Sequence, residues 1–274
     1  MMVSRRDLDR LNGILAEAAR REIMPRFRKL AAGDVREKAA PGDLVTEADE
    51  AAERLIFAEL ERAFPGALLV GEEAATRDPA VLGRLAEAEL AFVIDPVDGT
   101  LNYASDLPLF AVMAAAVVRG ETAAAVIHDP VLNDSALALR GEGAWLESSG
   151  GTSRDLRAGG PVAIADMNGM ASWQYFPEPM RSALPARFPA FASVASLRCC
   201  GQEYRLAAAG RCDFLLYGGL NPWDHAPGVL LFGEAGGHAR MLDGSLYRPG
   251  RPSTGLLCAP DSGSWRAIRD VLVG

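Results

Sequence analysis

The sequence predicts a layered α/β protein. Short apolar runs bounded by chain breakers alternate with stretches of helical period, and the middle of the chain reads as a meander of strands. With 49% of its 274 residues apolar and 23% charged, the chain is long enough to bury a substantial core without disulfides or metal staples.

Leu8, Leu11, Ile14, Leu15, Ala18 and Ala19 recur at helical spacing and predict a helix over 4–30. A second helix is expected over 47–64, with Leu55, Ile56 and Leu60 inward and Pro65-Gly66 as its stop. A polar loop with Lys38, Pro41 and Gly42 lies between them. Runs 68–70 and 91–94 read as buried strands. Runs 110–118, 122–128 and 135–140, separated by turn signals at 119–121 and 130–134, read as antiparallel neighbours. The Gly- and Ser-rich stretch 148–160 is the candidate linker between an N-terminal sub-domain, 1–150, and a C-terminal one, 151–274. Beyond it the pattern predicts strands at 162–165, 214–217 and 255–259 and helices at 202–209, 223–234 and 262–273.

A net charge of −8 and the lack of a Lys/Arg-rich block argue against a nucleic-acid surface. The same charge repels an anionic substrate unless something local, such as a metal, reverses the field. The N-terminus shows early charge without a following apolar run, and the longest apolar run, 110–118, is too short to cross a bilayer. Cys199, Cys200, Cys212 and Cys258 form no C-x-x-C pair, which fits reduced thiols and a soluble, cytoplasmic protein.

The most informative segment is 91–100, where an apolar strand runs into Asp95-Pro-Val-Asp98-Gly99-Thr100. Pro96 keeps the backbone extended, and Gly99 permits close approach of a ligand. Two acids at a strand end repel each other in a dry site. A divalent cation removes that repulsion, and a set of hard oxygen ligands suits Mg²⁺. If a helical turn follows, the amides of Gly99 and Thr100 are aimed at a phosphate oxygen. The alternative is a solvated Asx turn with an ordinary helix start. Glu72 and Glu73 also follow a strand, and Asp224 opens an apolar helix, where it can equally serve the free amides. Asp43 and Asp49 flank Thr46, and Thr46 with Asp49 reads as a capping-box variant. Four acid clusters at element ends are harder to dismiss together than singly.

These segments resemble the inositol monophosphatase family over nearly the whole chain. The resemblance rests on Asp43-Leu-Val-Thr46-Glu-Ala-Asp49, Gly71-Glu72-Glu73, Asp95-Pro-Val-Asp98-Gly99-Thr100-Leu-Asn102-Tyr103, and Pro222-Trp223-Asp224 with Glu234-Ala-Gly-Gly237. It implies an αβαβα five-layer sandwich, Mg²⁺-dependent hydrolysis of a phosphate monoester without a covalent intermediate, lithium sensitivity and a homodimer. By the same resemblance Glu72, Asp95 and the Val97 carbonyl hold one Mg²⁺. Asp95, Asp98 and Asp224 hold a second, and a third sits near Glu72. Glu72 and Thr100 position the attacking water, Asp49 orients Thr100, and Lys38 supplies positive charge. Asp98, Gly99, Thr100 and Cys200 border the substrate.

Two positions depart from the family pattern. Inositol-hydrolysing members carry a glutamate seven residues before the Pro-Trp-Asp aspartate, where this chain has Tyr217. The small-residue segment that borders the substrate's alcohol is here Arg198-Cys199-Cys200-Gly201. An inward Arg198 would read a carboxylate or second phosphate; an outward one would pair with a surface acid. The resemblance therefore leaves polyol, sugar and amino-alcohol phosphates open, with histidinol phosphate, fructose 1,6-bisphosphate and 3′-phosphoadenosine 5′-phosphate as alternatives. A different class, a regulatory partner of the transcription machinery, is also open, because some family members act that way.

Overall fold

A computed structural model describes residues 3–31, 33–38, 44–251 and 254–274. Pro41, Gly42 and Asp43 lie outside the described residues. In chain order the elements are α1 (Arg5–Ala18), β1 (Val35–Glu37), β2 (Leu44–Thr46), α2 (Glu47–Ala63), β3 (Leu68–Gly71), α3 (Glu72–Arg77), β4 (Ala91–Asp98) and α4 (Thr100–Ala104). Then come β5 (Ala111–Val118), β6 (Glu121–Asp129), β7 (Asp134–Leu139), β8 (Gly143–Ser148), β9 (Ser153–Asp155), β10 (Asn168–Ser172) and α5 (Met180–Ala183). The chain finishes with β11 (Ser193–Ala195), α6 (Cys200–Ala208), β12 (Phe214–Tyr217), α7 (Pro222–Glu234), β13 (His238–Met241), β14 (Leu256–Ala259) and α8 (Ser262–Val273).

Strands β3 to β9 form a seven-stranded sheet in sequence order, antiparallel except for the β3–β4 pair. A second sheet of five strands runs β11-β10-β12-β14-β13. Alternation along the strands decides which layer each residue joins. Phe92, Ile94, Val112, Ala114 and Val126 pack with Leu8, Leu11, Ile56 and Leu60 of α1 and α2. On the other face Ala111, Met113, Ala125 and Ile127 meet Tyr204 and Leu231 of α6 and α7, which also cover Leu215, Tyr217, Leu256 and Cys258 of the second sheet. The far face of that sheet, through Phe214, Leu216 and Leu257, carries Trp265, Ile268 and Leu272 of α8. This is the expected αβαβα sandwich.

Both N-terminal helices open with reciprocal caps. Ser4 and Asp7 close a capping box on α1, and Thr46 and Asp49 close one on α2, where the Thr46 amide donates to Asp49 Oδ2 at 2.9 Å. The apolar period past Ala18 continues as a π-helical turn, Ala19–Ile23, so α1 stops short of the expected residue 30. The expected strand at 162–165 is instead a 3₁₀ turn, Ile164–Asp166, and pairing begins at β10. In β10 Gly169 lies so close to Phe214 of β12 that a Cβ there would fall 2.1 Å from its ring, so this position of the strand admits only glycine. The Gly/Ser-rich stretch contains β9, and Leu156 beyond it is buried.

β6 also carries a buried imidazole. His128 is 3% exposed and its Nδ1 lies 2.9 Å from Ser135 Oγ. Burial, partly offset by the charge of Asp129, lowers its pKa to about 4, below the ordinary 6.5. The unfolded chain therefore takes up this proton first as pH falls. The stabilisation is complete above pH 6.5 and is lost towards pH 4, by at most about 3 kcal/mol. Chemical denaturation at pH 7 and pH 5 should show the wild type losing more stability than His128→Asn. Equal losses would contradict this assignment.

Candidate active site

Asp95 and Asp98 are three residues apart, a spacing that in a regular strand would send their side chains to opposite faces. The register of β4 against β5 shifts between them: Asp95 pairs with Met113 but Asp98 with Ala111. This bulge at Pro96-Val97 restores both acids to one side, and Pro96, which has no amide to donate, sits where the ladder is already interrupted. Gly99 follows at φ 89, and a Cβ there would fall 3.1 Å from both the Cys199 Cβ and the Leu109 carbonyl. Only glycine meets both demands. Thr100 then opens α4, so its amide has no intrahelical acceptor.

Glu72 begins α3 at the end of β3, and Asp224 lies in the first turn of α7 after β12. With Asp95, Asp98, Val97, Gly99, Thr100, Arg198, Cys200 and Tyr217 they line one cleft of about 600 Å³. Leu44, Leu101, Ser172, Gln174, Tyr175, Asn221 and His225 complete parts of its wall. Asp49 stands behind Thr100, and Lys38 reaches Glu72, so the structure brings every described site residue expected from the sequence to this cleft or its immediate support.

Asp49 combines the two readings that the sequence left open. Its Oδ2 caps α2, while Oδ1 lies 3.1 Å from Thr100 Oγ1, which is also 3.0 Å from the Val97 carbonyl. Between two acceptors, the Thr100 hydroxyl commits its single proton and leaves lone pairs for the cleft. Burial outweighs the Thr46 hydrogen bond and raises Asp49 to about 6. Lys38 is no solvated surface lysine: its side chain is 6% exposed, with Nζ 2.6 Å from Glu72 Oε1 and 2.7 Å from Glu73 Oε1. Burial works against the ammonium, yet the charges and hydrogen bonds of Glu72 and Glu73 together outweigh it and the pKa rises.

The remaining acids are held with too little positive charge. Burial, then the charges of Glu72, Asp98 and Asp224, pushes Asp95 far above the carboxylate range, and Asp95 hydrogen-bonds Asp224 as the protonated partner. Burial likewise raises Glu72 well above its ordinary value, Asp98 to about 6 and Asp224 to about 7. Asp98 accepts from the amides of Gly201 at 2.6 Å and Cys200 at 3.2 Å and from Cys199 Sγ at 3.0 Å. Burial and then the Asp98 charge push both vicinal thiols up, so they stay protonated and offer no soft ligand. As they stand, no three His, Cys, Asp or Glu side chains among the described residues are gathered tightly enough to hold a metal ion. Lys38 engages Glu72, and the α6 amides engage Asp98. In charge and donor type, however, the four carboxylates, two buried and two half-buried, fit a hard divalent cation.

Around this core the structure decides several smaller questions. Tyr175 is a wall residue, while Phe176 is buried beside the second sheet. His225 is buried and neutral, its pKa lowered to about 3 by burial, and it bridges Tyr204 and the Gly219 carbonyl. Arg205 pairs with Asp134 below the sheet. Glu53 and Glu203 escaped notice in the sequence, although both interrupt an apolar helical stripe, which was the available signal. Glu53 Oε2 accepts from the Glu73 amide at 2.9 Å and fills the space where a Cβ on Gly71 would lie, so it fixes the turn that presents Glu72.

Fold and cleft together define an αβαβα sandwich protein with an acid cluster at the strand ends. The sequence model of the inositol monophosphatase family matches residues 7–271, and the chain belongs to that family. It is 34% identical to the inositol-1-monophosphatase of Mesorhizobium japonicum over 215 residues, 74% of each chain. It is 33% identical to the Nus factor SuhB of Escherichia coli over 218 residues, 74% of this chain and 77% of that protein. The solved inositol monophosphatase of Thermotoga maritima superposes with a TM-score of 0.78 at 25% identity, covering 96% of this chain and 97% of that one. No helix among the described residues is long and apolar enough to cross a membrane.

An acid whose folded pKa is raised destabilises the fold as pH climbs from its unfolded to its folded value. Asp224 does so between about 4 and 7. In the chelator-treated protein at pH 8, Asp224→Asn should therefore raise the melting temperature by about 2–6 °C, an advantage that fades towards pH 4. A lower melting temperature at pH 8 would contradict the crowding of charge described here.

Proposed function

We propose that this chain hydrolyses a small phosphate monoester with Mg²⁺ as cofactor. The observation that carries the reading is the convergence on one cleft of four carboxylates, Asp95 and Asp98 buried and Glu72 and Asp224 half-buried, beside a hydroxyl whose proton is already committed. Glu72, Asp95 and the Val97 carbonyl would hold one ion; Asp95, Asp98 and Asp224 would hold another, and Glu72 is the natural neighbour of a third. Bound Mg²⁺ would supply Lewis acidity to the attacking water and to the departing alkoxide.

The chain's own groups have separate tasks. Thr100 accepts a hydrogen bond from the attacking water, because Asp49 and Val97 take its proton. Glu72 would help position the attacking water beside Thr100, with Lys38 at 2.6 Å supplying positive charge and Glu73 keeping Lys38 beside the cleft. The amides of Gly99 and Thr100 receive phosphate oxygens, and the positive φ at Gly99 lets that backbone approach closely. Cys200 borders the phosphate, and Arg198 and Tyr217 face the alcohol.

Polyol, sugar and amino-alcohol phosphates are the proposed substrates. Arg198 is exposed at the cleft, with no carboxylate of the described residues at ion-pair distance, which supports esters carrying a second anionic group. The likeness to a Nus factor supports a second reading, a binding role in transcription that does not need the acids.

Phosphate release from a panel of esters, with and without Mg²⁺, tests the proposal. Asp95→Asn should lower turnover by about a thousandfold, several kcal/mol of barrier. Thr100→Ser should retain most activity and Thr100→Val lose it. A folded wild type that turns over no ester would favour the binding role, which should survive Asp95→Asn.

A further inference from the structure

A second cavity, of about 300 Å³, shares no lining residue with the acid-lined cleft. The two are neighbours: Leu220 lines this cavity, while Gly219 and Asn221 on either side of it line the cleft. The rest of the cavity is built by the end of β13 and the connection towards β14. Met241 ends β13, and its amide donates to the Ser245 carbonyl at 3.0 Å. The Arg251 amide donates to the Arg248 carbonyl at 3.3 Å, which folds both arginines into one turn. Gly250, at φ 77, brings that turn so close to the Leu82 carbonyl that a Cβ would fall 3.3 Å from it. The described part of this connection is thus tied down by its own backbone and by the 79–84 turn.

The lining divides by chemistry. Leu220, Met241, Leu246 and Tyr247 give an apolar wall, on which Leu246 is 56% exposed, and Arg248 and Arg251 give the charge. Arg248 forms an ion pair with Glu121 of β6, which Arg140 also approaches at 3.8 Å. Arg251 is exposed, and its side chain has no ion-pair or hydrogen-bond partner among the described residues. Asp243, the acid nearest to the turn in sequence, is engaged by the Ser245 amide at 2.8 Å. One guanidinium therefore stands uncompensated beside an apolar wall, in a chain whose net charge is −8.

We infer that this cavity binds a small organic monocarboxylate, with its apolar body on the Leu246 side and its carboxylate on Arg251. A planar carboxylate matches the guanidinium fork in shape. It matches in charge as well, because Glu121 already engages Arg248 and a phosphate dianion would exceed the single free positive charge. The volume gives room for roughly ten non-hydrogen atoms, at the lower end of small-molecule sites. The inference does not depend on phosphate hydrolysis, since none of these residues takes part in the chemistry proposed above.

The probe is 4-fluorobenzoate, which has that size, and its uncharged isostere is 4-fluorobenzamide. Fluorine NMR titration of the full chain equilibrated with Mg²⁺ reads the binding of each. The benzoate should bind saturably with a Kd of about 1 mM, and the benzamide at least about tenfold more weakly, the loss of a charge-assisted hydrogen bond. Arg251→Gln, a change at an exposed position that should leave the fold intact, should weaken the benzoate by about tenfold and leave the benzamide unchanged. Arg198→Gln, which removes the guanidinium of the neighbouring cleft, should change neither. Any one of four results would overturn the inference: no saturable binding of the benzoate, equal binding of the two compounds, benzoate binding indifferent to Arg251→Gln, or a loss in Arg198→Gln as large as in Arg251→Gln.

Discussion

Buried negative charge without enough positive charge to balance it is the constraint around which this molecule is built. Glu72, Asp95, Asp98 and Asp224 are drawn from β3–α3, β4 and α7, and Lys38 is the cation in direct contact with them. An unpaired buried carboxylate costs several kcal/mol, and the chain meets that cost by keeping protons on the acids, by amide donors to Asp98, and by the Lys38 ion pair. Each of these is weaker than a divalent cation would be. The site is thus held short of its best electrostatic state, as expected where function and stability pull apart.

Much of the local backbone follows from that constraint. The bulge in β4 turns Asp95 and Asp98 to one side, Gly99 admits the close approach of the α6 segment and the 109 carbonyl, and Gly71 makes room for Glu53. Asp49 belongs to the scaffold and the site at once, since one oxygen closes a helix cap and the other orients Thr100. Supporting carboxylates recur behind the cleft: Glu53 steadies the turn bearing Glu72, while Glu203 ties Tyr217 to the segment bearing Arg198. Their partners are mostly backbone amides and hydroxyls, with Arg77 also 3.4 Å from Glu53 Oε1.

Legibility in the sequence followed the physics of each element. Helix α2 was readable to within a residue because a capping box begins it and Pro65-Gly66 follows it. Strands β5 and β6 were readable because both faces are buried and the apolar run is continuous, whereas β4 was read only to Ile94, because Asp95 and Pro96 end the apolar run while a bulge carries the strand on to Asp98. Strand β10 was misplaced: its sequence, Asn-Gly-Met-Ala-Ser, has no β-branched or aromatic residue, and Phe214 of the neighbouring strand fills the space over Gly169. The acids were visible as types at element ends, but their convergence depends on a bulge and on tertiary packing that no spacing announces. The Lys38–Glu72 pair, 34 residues apart, and the Glu203–Tyr217 bond were likewise invisible, although an acid on an apolar helical stripe was a signal for Glu203.

The central claim is that the four acids form a cation site completed by the ion itself. Anomalous diffraction from crystals of the protein grown with Mn²⁺, a hard cation with its own scattering signature, tests this most directly. The account predicts density bonded to the Asp95 carboxylate and shared with Glu72 on one side or with Asp98 and Asp224 on the other, with Lys38 displaced from Glu72. Saturating Mn²⁺ with no density at Asp95, and Lys38 still seated on Glu72, would contradict it.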